Sequence, residues 1–245
     1  MLYQLYEKYH QKTRSQKKLI KKRNFTYRLI LNALEPYLID RKKILDIGCG
    51  AGTLSLYVAS RSHYIRGIDI SSKAIKACRA SAQMLGVTQN VKFQIANFPE
   101  TIIKESFDLI LCIEVLEHLI KDELAIEKMF NHLKTNGVII ISVPSIKAPL
   151  YKLGFAKKFD KQVGHLRRYD LNKIIKLLRE KKFKIIKAKK TEGILRNFLF
   201  FTKIGYLPLR LANKFQLISD ILTFLDNISL KLFGASQIII IAKKT

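Results

Sequence analysis

Short apolar runs alternate with stretches in which apolar positions recur every three or four residues, and this alternation begins near position 43. Lys43–Ile47, Tyr64–Asp69, Val91–Ile95, Phe107–Ile113, 138–143, 183–188 and 237–242 have the length and β-branched content of strands. Phe107–Ile113 is almost wholly apolar, as a strand covered on both faces must be. Helical spacing fills the intervals at 52–60 and 121–133. Ser71 caps a helix that runs toward Leu85 and stops at Gly86, and Asp170 caps another through Glu180. Asn136-Gly137 reads as a turn, and the segment between Val143 and Asp170 as an irregular basic loop. The rhythm predicts an α/β architecture: a doubly wound, parallel, seven-stranded sheet with helices on both faces.

Two segments fall outside that rhythm. In the first forty residues, Phe25, Leu29, Ile30, Ala33 and Leu34 keep helical spacing up to a stop at Pro36, which predicts a helical, basic N-terminal arm. An apolar helical insertion occupies 194–234, so the core domain is expected over 41–193 and 235–245. In its first part Arg196, Lys203 and Arg210 recur every seven residues among aromatics, a surface suited to resting on a bilayer, and Pro208 interrupts any continuous helix. In its second part Phe215, Ile218, Ile221, Leu222, Leu225, Ile228 and Leu232 form an apolar stripe opposite Asp220 and Asp226. That stripe predicts a cap folded over the active site.

Charge changes the picture more than length does. The 245 residues carry 45 Lys+Arg against 19 Asp+Glu, a formal charge of +26. Residues 1–43 hold twelve basic and three acidic side chains, 44–143 ten of each, and 144–245 twenty-three basic and six acidic. A neutral core between two cationic arms attracts an anionic partner, either an anionic membrane surface or nucleic acid. No recognisable RNA-binding module is present, which places nucleic acid second. Cys49, Cys78 and Cys112 lack paired spacing, so a reducing cytoplasm is the expected home. The basic N-terminus has no apolar run behind it, and no stretch of about eighteen uncharged apolar residues occurs, so neither a secretory leader nor a spanning helix is expected.

The chemistry starts at residues 44–52, ILDIGCGAG, where glycines 48, 50 and 52 follow the first strand. Thr53 stands where a dinucleotide fingerprint requires its third glycine. Asp46 would repel a pyrophosphate but attract a cationic amino group. Asp69, about twenty residues on at the end of the second strand, can accept both hydroxyls of a ribose. A nucleoside with a cationic tail and no phosphate meets both conditions, as S-adenosylmethionine does.

Residues 44–52 and 66–71 resemble the first and second signatures of class I S-adenosylmethionine-dependent methyltransferases. Residues 91–99 resemble their adenine-contacting segment, and 107–119 their substrate-facing strand end; the likeness covers roughly 32–190. It implies that Asp46, Gly48 and Gly50 hold the methionine moiety and Asp69 the ribose. Asn97 takes the place of the usual Asp beside adenine, and Cys49, Ile70, Phe98 and Ile113 complete the cofactor set.

Within CIEVLEHL, Glu114, Glu117 and His118 are spaced to share one face if the segment is helical. His165 comes from GHLRRYD, just before the helix capped by Asp170. The four can serve a general base, His118 or His165 oriented by Glu114 and Glu117, or instead hold a divalent metal. The pattern resembles both ubiquinone-biosynthesis O-methyltransferases and metal-dependent small-RNA 2′-O-methyltransferases. Arg167, Arg168 and Tyr169 are candidates for an anionic substrate group, and Tyr3, Tyr6, Tyr9 and His10 for closure over the cofactor. The expected activity is methyl transfer to oxygen, in preference to nitrogen or carbon, of a small or lipid- or glycan-linked acceptor at the inner membrane face. The alternatives are a metal-dependent RNA 2′-O-methyltransferase and a non-catalytic cofactor-binding subunit.

Overall fold

A computed structural model describes residues 2–245. Helices α1 (Leu2–Tyr9) and α2 (Arg28–Leu34) precede β1 (Lys43–Ile47) and α3 (Thr53–Ala59). Then follow β2 (Tyr64–Asp69), α4 (Ser72–Met84), β3 (Val91–Ile95), β4 (Phe107–Ile113), α5 (Asp122–His132) and β5 (Leu133–Pro144). Helices α6 (Pro149–Lys152), α7 (Phe155–Val163) and α8 (Leu171–Glu180) lead to β6 (Phe183–Thr191). The insertion forms α9 (Ile194–Phe201), α10 (Tyr206–Lys214) and α11 (Gln216–Phe233), and β7 (Gln237–Lys244) ends the chain.

The seven strands lie in the order β3-β2-β1-β4-β5-β7-β6. All run parallel except β7, which pairs antiparallel with both β5 and β6. The sheet is therefore mixed, not uniformly parallel. The reason is topological: the chain leaves β6 and returns from α11 at the same edge of the sheet, so β7 enters its slot from the opposite end.

Alternation along the central strands divides the core in two. Leu45, Ile47, Ile110, Cys112, Ile139 and Ile141 face α5 and α8, while Ile44, Ile65, Leu109, Leu111 and Ile140 face α2, α3 and α4. Burial on both faces explains why β1, β4 and β5 read as continuous apolar runs. Ser71 caps α4 by accepting from the Ala74 N–H at 3.2 Å, and Asp170 caps α8 through the Asn172 N–H. Gly86 ends α4 at φ +67°.

Three expectations fail. The segment before Asp170 is helical, with α7 closed by Gly164 at φ +82°. Pro208 sits in the first turn of α10, where its missing N–H costs nothing, and the break falls earlier at Thr202–Gly205. Arg196 is not part of a cationic surface: it is fully buried, 3.8 Å over the Phe25 ring, donating to the Phe25 carbonyl and to Asp226.

Candidate active site

One cleft of about 1630 Å³ runs along the carboxyl ends of the parallel strands. Ligands of open α/β sheets bind there because the loops diverge from a rigid edge. Asp46, Gly48, Cys49, Gly50, Asp69, Ile70, Asn97, Phe98, Ile113, Glu114, His118 and His165, all anticipated above, line it.

At one end the β1–α3 turn takes φ of +67°, +51° and +77° at Gly48, Gly50 and Gly52, a conformation that disfavours side chains. A Cβ at Gly48 would lie 2.3 Å from Val115, so the tight approach of the two loops also requires glycine. Asp69 is fixed by two backbone donors at 2.9 Å, Gly50 N–H on one oxygen and Ser71 N–H on the other. Asp46 accepts from the Ser55 hydroxyl at 2.6 Å. Its carboxyl is buried with no cation beside it, which pushes it up to about 7. Asn97 presents an exposed side chain to the cleft, its own N–H bonded to Thr101 Oγ1.

The N-terminal arm roofs this end. Glu7 accepts the Ser72 N–H at 2.5 Å, Gln16 reaches the Ala51 carbonyl and Thr53 hydroxyl, and the His10 ring lies against Gly50. Tyr6 stacks edge-on against His118 at 5.5 Å. Tyr3 and Tyr9 of α1 and His10 just after it also line the cleft, with the outer sides of both tyrosines exposed.

The opposite end differs from expectation. Glu114 has φ +55°, which breaks the helical spacing supposed for residues 114–118; only a single 3-10 turn, Leu116–His118, forms there. The three side chains therefore do not share one face. Glu114 turns to Ser142 Oγ and Gln237 Nε2, each donating at 2.5 Å. Glu117 is fully buried, and neither of its oxygens has a hydrogen-bond partner. Burial, with Glu114 beside it, pushes its carboxyl well above the usual range.

Glu117, His118 and His165 come together, with ligand-capable atoms all within 4.8 Å; Glu114 does not join them. His118 places Nδ1 3.1 Å from the Gly164 carbonyl, and burial beside His165 lowers its imidazole to about 4. His165 Nδ1 lies 2.9 Å from Asp160, while its Nε2 is 3.8 Å from Glu117. Arg168 grips both oxygens of Asp160 at 2.7 Å. Despite the cost of burial, the hydrogen bonds from His165 and Arg168 hold the Asp160 carboxyl below its ordinary value. Asp160 escaped the sequence reading because its segment was taken for a loop. The spacing of Phe155, Phe159 and Val163 ahead of Gly164 was the available signal.

Arg167, Arg168 and Tyr169 are not free to hold an anion. Arg167 pairs with Asp122 at 2.5 Å, Arg168 with Asp160, and the Tyr169 hydroxyl donates to Asp122. The far wall instead contains Thr191, Glu192, Asn197, Phe200, Phe201, Ser236 and Gln237, none of them foreseen. Oxygens of Thr191, Asn197, Ser236 and Gln237 are buried without partners. Burial pushes the Glu192 carboxyl up to about 8. No residue of α11 lines the cleft, so this helix is not the expected cap.

Comparison with known proteins agrees with the cofactor end. Residues 39–196 match the family described as a methyltransferase domain. The ubiquinone biosynthesis O-methyltransferase of Pasteurella multocida is 36% identical over 110 residues, 41% of this chain and 46% of that protein. The enzyme of the same name from Glaesserella parasuis is 34% identical over 118 residues, 46% and 49% of the two chains. The chain thus spans about half the length of the curated relatives it matches. In solved structures, phosphoethanolamine N-methyltransferase 2 of Haemonchus contortus superposes with TM-score 0.68 at 17% identity, over 89% of this chain and 52% of that one. An S-adenosylmethionine-dependent methyltransferase from Methanosarcina mazei gives 0.60 at 21% identity, over 86% and 96%. With the strand order and the glycine turn already in place, the chain belongs to the methyltransferase domain family and has the fold of class I S-adenosylmethionine-dependent methyltransferases.

Proposed function

We propose that this chain moves a methyl group from S-adenosylmethionine to an oxygen of a small or lipid- or glycan-linked acceptor. The observation that carries the reading is the Asp160–His165 pair, whose His165 lines the same cleft as the glycine turn. In this reading Asp69 accepts the ribose hydroxyls and Asp46 faces the amino group. Gly48, Cys49 and Gly50 border the methionine chain, and Asn97 meets adenine between Ile70, Phe98 and Ile113.

The cofactor supplies an electrophilic sulfonium methyl, whose bond to sulfur breaks as the bond to the acceptor oxygen forms. The protein's task is alignment and removal of one proton. Asp160 holds His165 with hydrogen on Nδ1, which leaves Nε2 to accept the acceptor's hydroxyl proton. The adjacent carboxylate stabilises the imidazolium that results. His118, lowered to about 4, is a weak base and lines the wall. The partnerless amide oxygens of Asn197 and Gln237 can only accept and the Thr191 and Ser236 hydroxyls can accept or donate, a set that suits an acceptor rich in hydroxyls. Phe159, Phe200 and Phe201 suit an apolar portion.

The test is an acceptor screen with radiolabelled methyl donor on separate lipid, glycan and RNA fractions. His165→Gln should then lower kcat by about 10²–10⁴-fold with cofactor affinity unchanged. Labelling that persists in the variant refutes the base assignment, and label in no fraction favours a non-catalytic cofactor-binding subunit.

A second reading rests on Glu117, whose buried, partnerless carboxyl and the free Nε2 atoms of His118 and His165 fit the donor set of a divalent cation. Such an ion would lower the pKa of a bound hydroxyl, as in a metal-dependent RNA 2′-O-methyltransferase. Calorimetric titration with manganese separates the two, because the base reading predicts no heat that disappears in Glu117→Gln.

A further inference from the structure

Helix α11 is built inside out. Its buried positions are Ser219, Asp226 and Ser229. Its exposed positions include Leu217 (71%), Ile221, Phe224 (65%), Leu225, Ile228 and Leu232 (70%). At 100° per residue those six fall within a stripe about 100° wide, with Ser219 and Asp226 on the opposite side and Ser229 on the flank where Ile218 and Leu222 pack toward Phe25, Leu199 and Ala212.

The inversion is fixed from within. Asp226 accepts from the Gly193 N–H at 3.1 Å, the Arg196 N–H at 2.8 Å and Arg196 Nε at 3.3 Å. Ser219 donates to the Arg23 carbonyl and accepts from Arg28, which also pairs with Asp220 at 2.5 Å. A Cβ at Gly193 would lie 2.1 Å from Ser229 Oγ, so the polar face is tightly seated. Turning the apolar stripe inward would strand a fully buried arginine and its carboxylate partner. The stripe is committed to the surface.

The adjoining segment, which packs on α11 through α10, also exposes Ile204, Tyr206 and Leu207. The insertion's exposed charges, Lys203, Arg210, Lys214 and Lys231, are all basic, whereas Asp226 is buried and Asp220 is paired with Arg23 and Arg28. A second copy of this chain would bring two +26 molecules face to face. An exposed apolar stripe on an insertion whose exposed charges are all basic is complementary to a bilayer that carries anionic headgroups.

We infer that α11, with the exposed edge of α10, docks this protein on an anionic membrane surface, the apolar stripe entering the headgroup–acyl boundary. Phe200 of α9, a helix that packs on α11, is both partly exposed and part of the cleft wall, which gives the docked insertion an apolar entrance to the cleft. That entrance rests on the proposed acceptor; the docking does not.

The experiment uses the full chain with vesicles of phosphatidylcholine alone or with added phosphatidylglycerol. The protein should co-sediment with the anionic vesicles, and added salt should weaken the association. Leu217→Ser, Phe224→Ser and Leu232→Ser combined should reduce binding at least about tenfold. Cofactor affinity, read by calorimetry on the same preparation, should stay unchanged. Because the chain has no tryptophan, Phe224→Trp provides a single reporter whose emission should shift to the blue on anionic vesicles. No co-sedimentation, equal binding by the triple variant, or an unshifted reporter overturns the proposal. So does a concentration-dependent dimer in light scattering that the triple variant abolishes, since the stripe would then be a self-interface. Lack of cofactor binding by the unaltered chain would refute the enzymatic reading and leave the docking result standing.

Discussion

The two ends of the cleft are built on opposite rules. At the glycine turn, polar groups are already engaged: Asp69 accepts two backbone N–H groups, and Asp46 accepts the Ser55 hydroxyl. At the far end Glu117, Thr191, Asn197, Ser236 and Gln237 hold buried oxygens with no partner at all. Buried polar atoms are ordinarily satisfied, and leaving one alone costs about 1–3 kcal/mol. The first end is preorganised, as the proposed S-adenosylmethionine site requires. The second carries unused hydrogen-bonding capacity, which is where acceptor selectivity can reside.

The sharpest way to break that contrast is at Asp69. Asp69→Ala removes the carboxylate proposed for the ribose and should weaken cofactor binding by about 1.5–3 kcal/mol, roughly ten- to a hundredfold. Acceptor KM at saturating cofactor should stay near its original value. Unchanged cofactor affinity in calorimetry would remove the ribose assignment and, with it, the claim that this end is the cofactor's.

Asp46 gives a second, pH-dependent test. With its carboxyl at about 7 in the cofactor-free protein, the group is protonated below that pH. A cationic amine binding there must first displace the proton. Cofactor affinity should therefore rise as pH climbs from about 6 to 8, with a slope approaching tenfold per unit on the acid side. Stability of the cofactor-free fold should move the other way. Between the ordinary aspartate range and 7 the folded state keeps a proton that the unfolded chain has released, so stability falls as pH rises. Asp46→Asn should flatten both curves; calorimetry and thermal melts across pH would show it.

How much of this could be read from the chain depends on how local each feature is. The glycine turn, Asp46 and Asp69 were legible because a strand, a positive-φ turn and a strand end fix their relative positions within about twenty residues. The Glu114–His118 face was not, because its spacing argument assumed a helix that Glu114 at φ +55° does not continue. Asp160 was hidden by the reading of α7 as a loop. Of the stripe read from α11, Ile221, Leu225, Ile228 and Leu232 lie on the exposed face while Ile218 and Leu222 pack toward Phe25, Leu199 and Ala212. Periodicity alone does not say which face looks inward. That is decided by Asp226, whose partner Arg196 lies thirty positions away in sequence. Thr191, Asn197 and Gln237 meet only because β6, α9 and β7 converge on one cleft wall, a consequence of the antiparallel return that the strand rhythm did not foretell.

The smallest expected effect is also the one that separates folding from recognition. Asn197 is 6% exposed, and its Oδ1 has no partner. Asn197→Leu keeps the same branched shape, adds the bulk of two methyl groups and removes an unsatisfied oxygen, so the fold should hold its stability or gain up to about 1 kcal/mol where the cleft takes up that bulk. If that oxygen meets an acceptor hydroxyl, the variant should raise acceptor KM by a few fold to tenfold, the worth of one hydrogen bond, and leave cofactor affinity alone. A stabilised variant with unaltered KM would mean that the polar wall belongs to the fold and not to the acceptor. A higher KM that coincides with a higher melting temperature would show that this wall carries an instability whose benefit is seen only with acceptor bound.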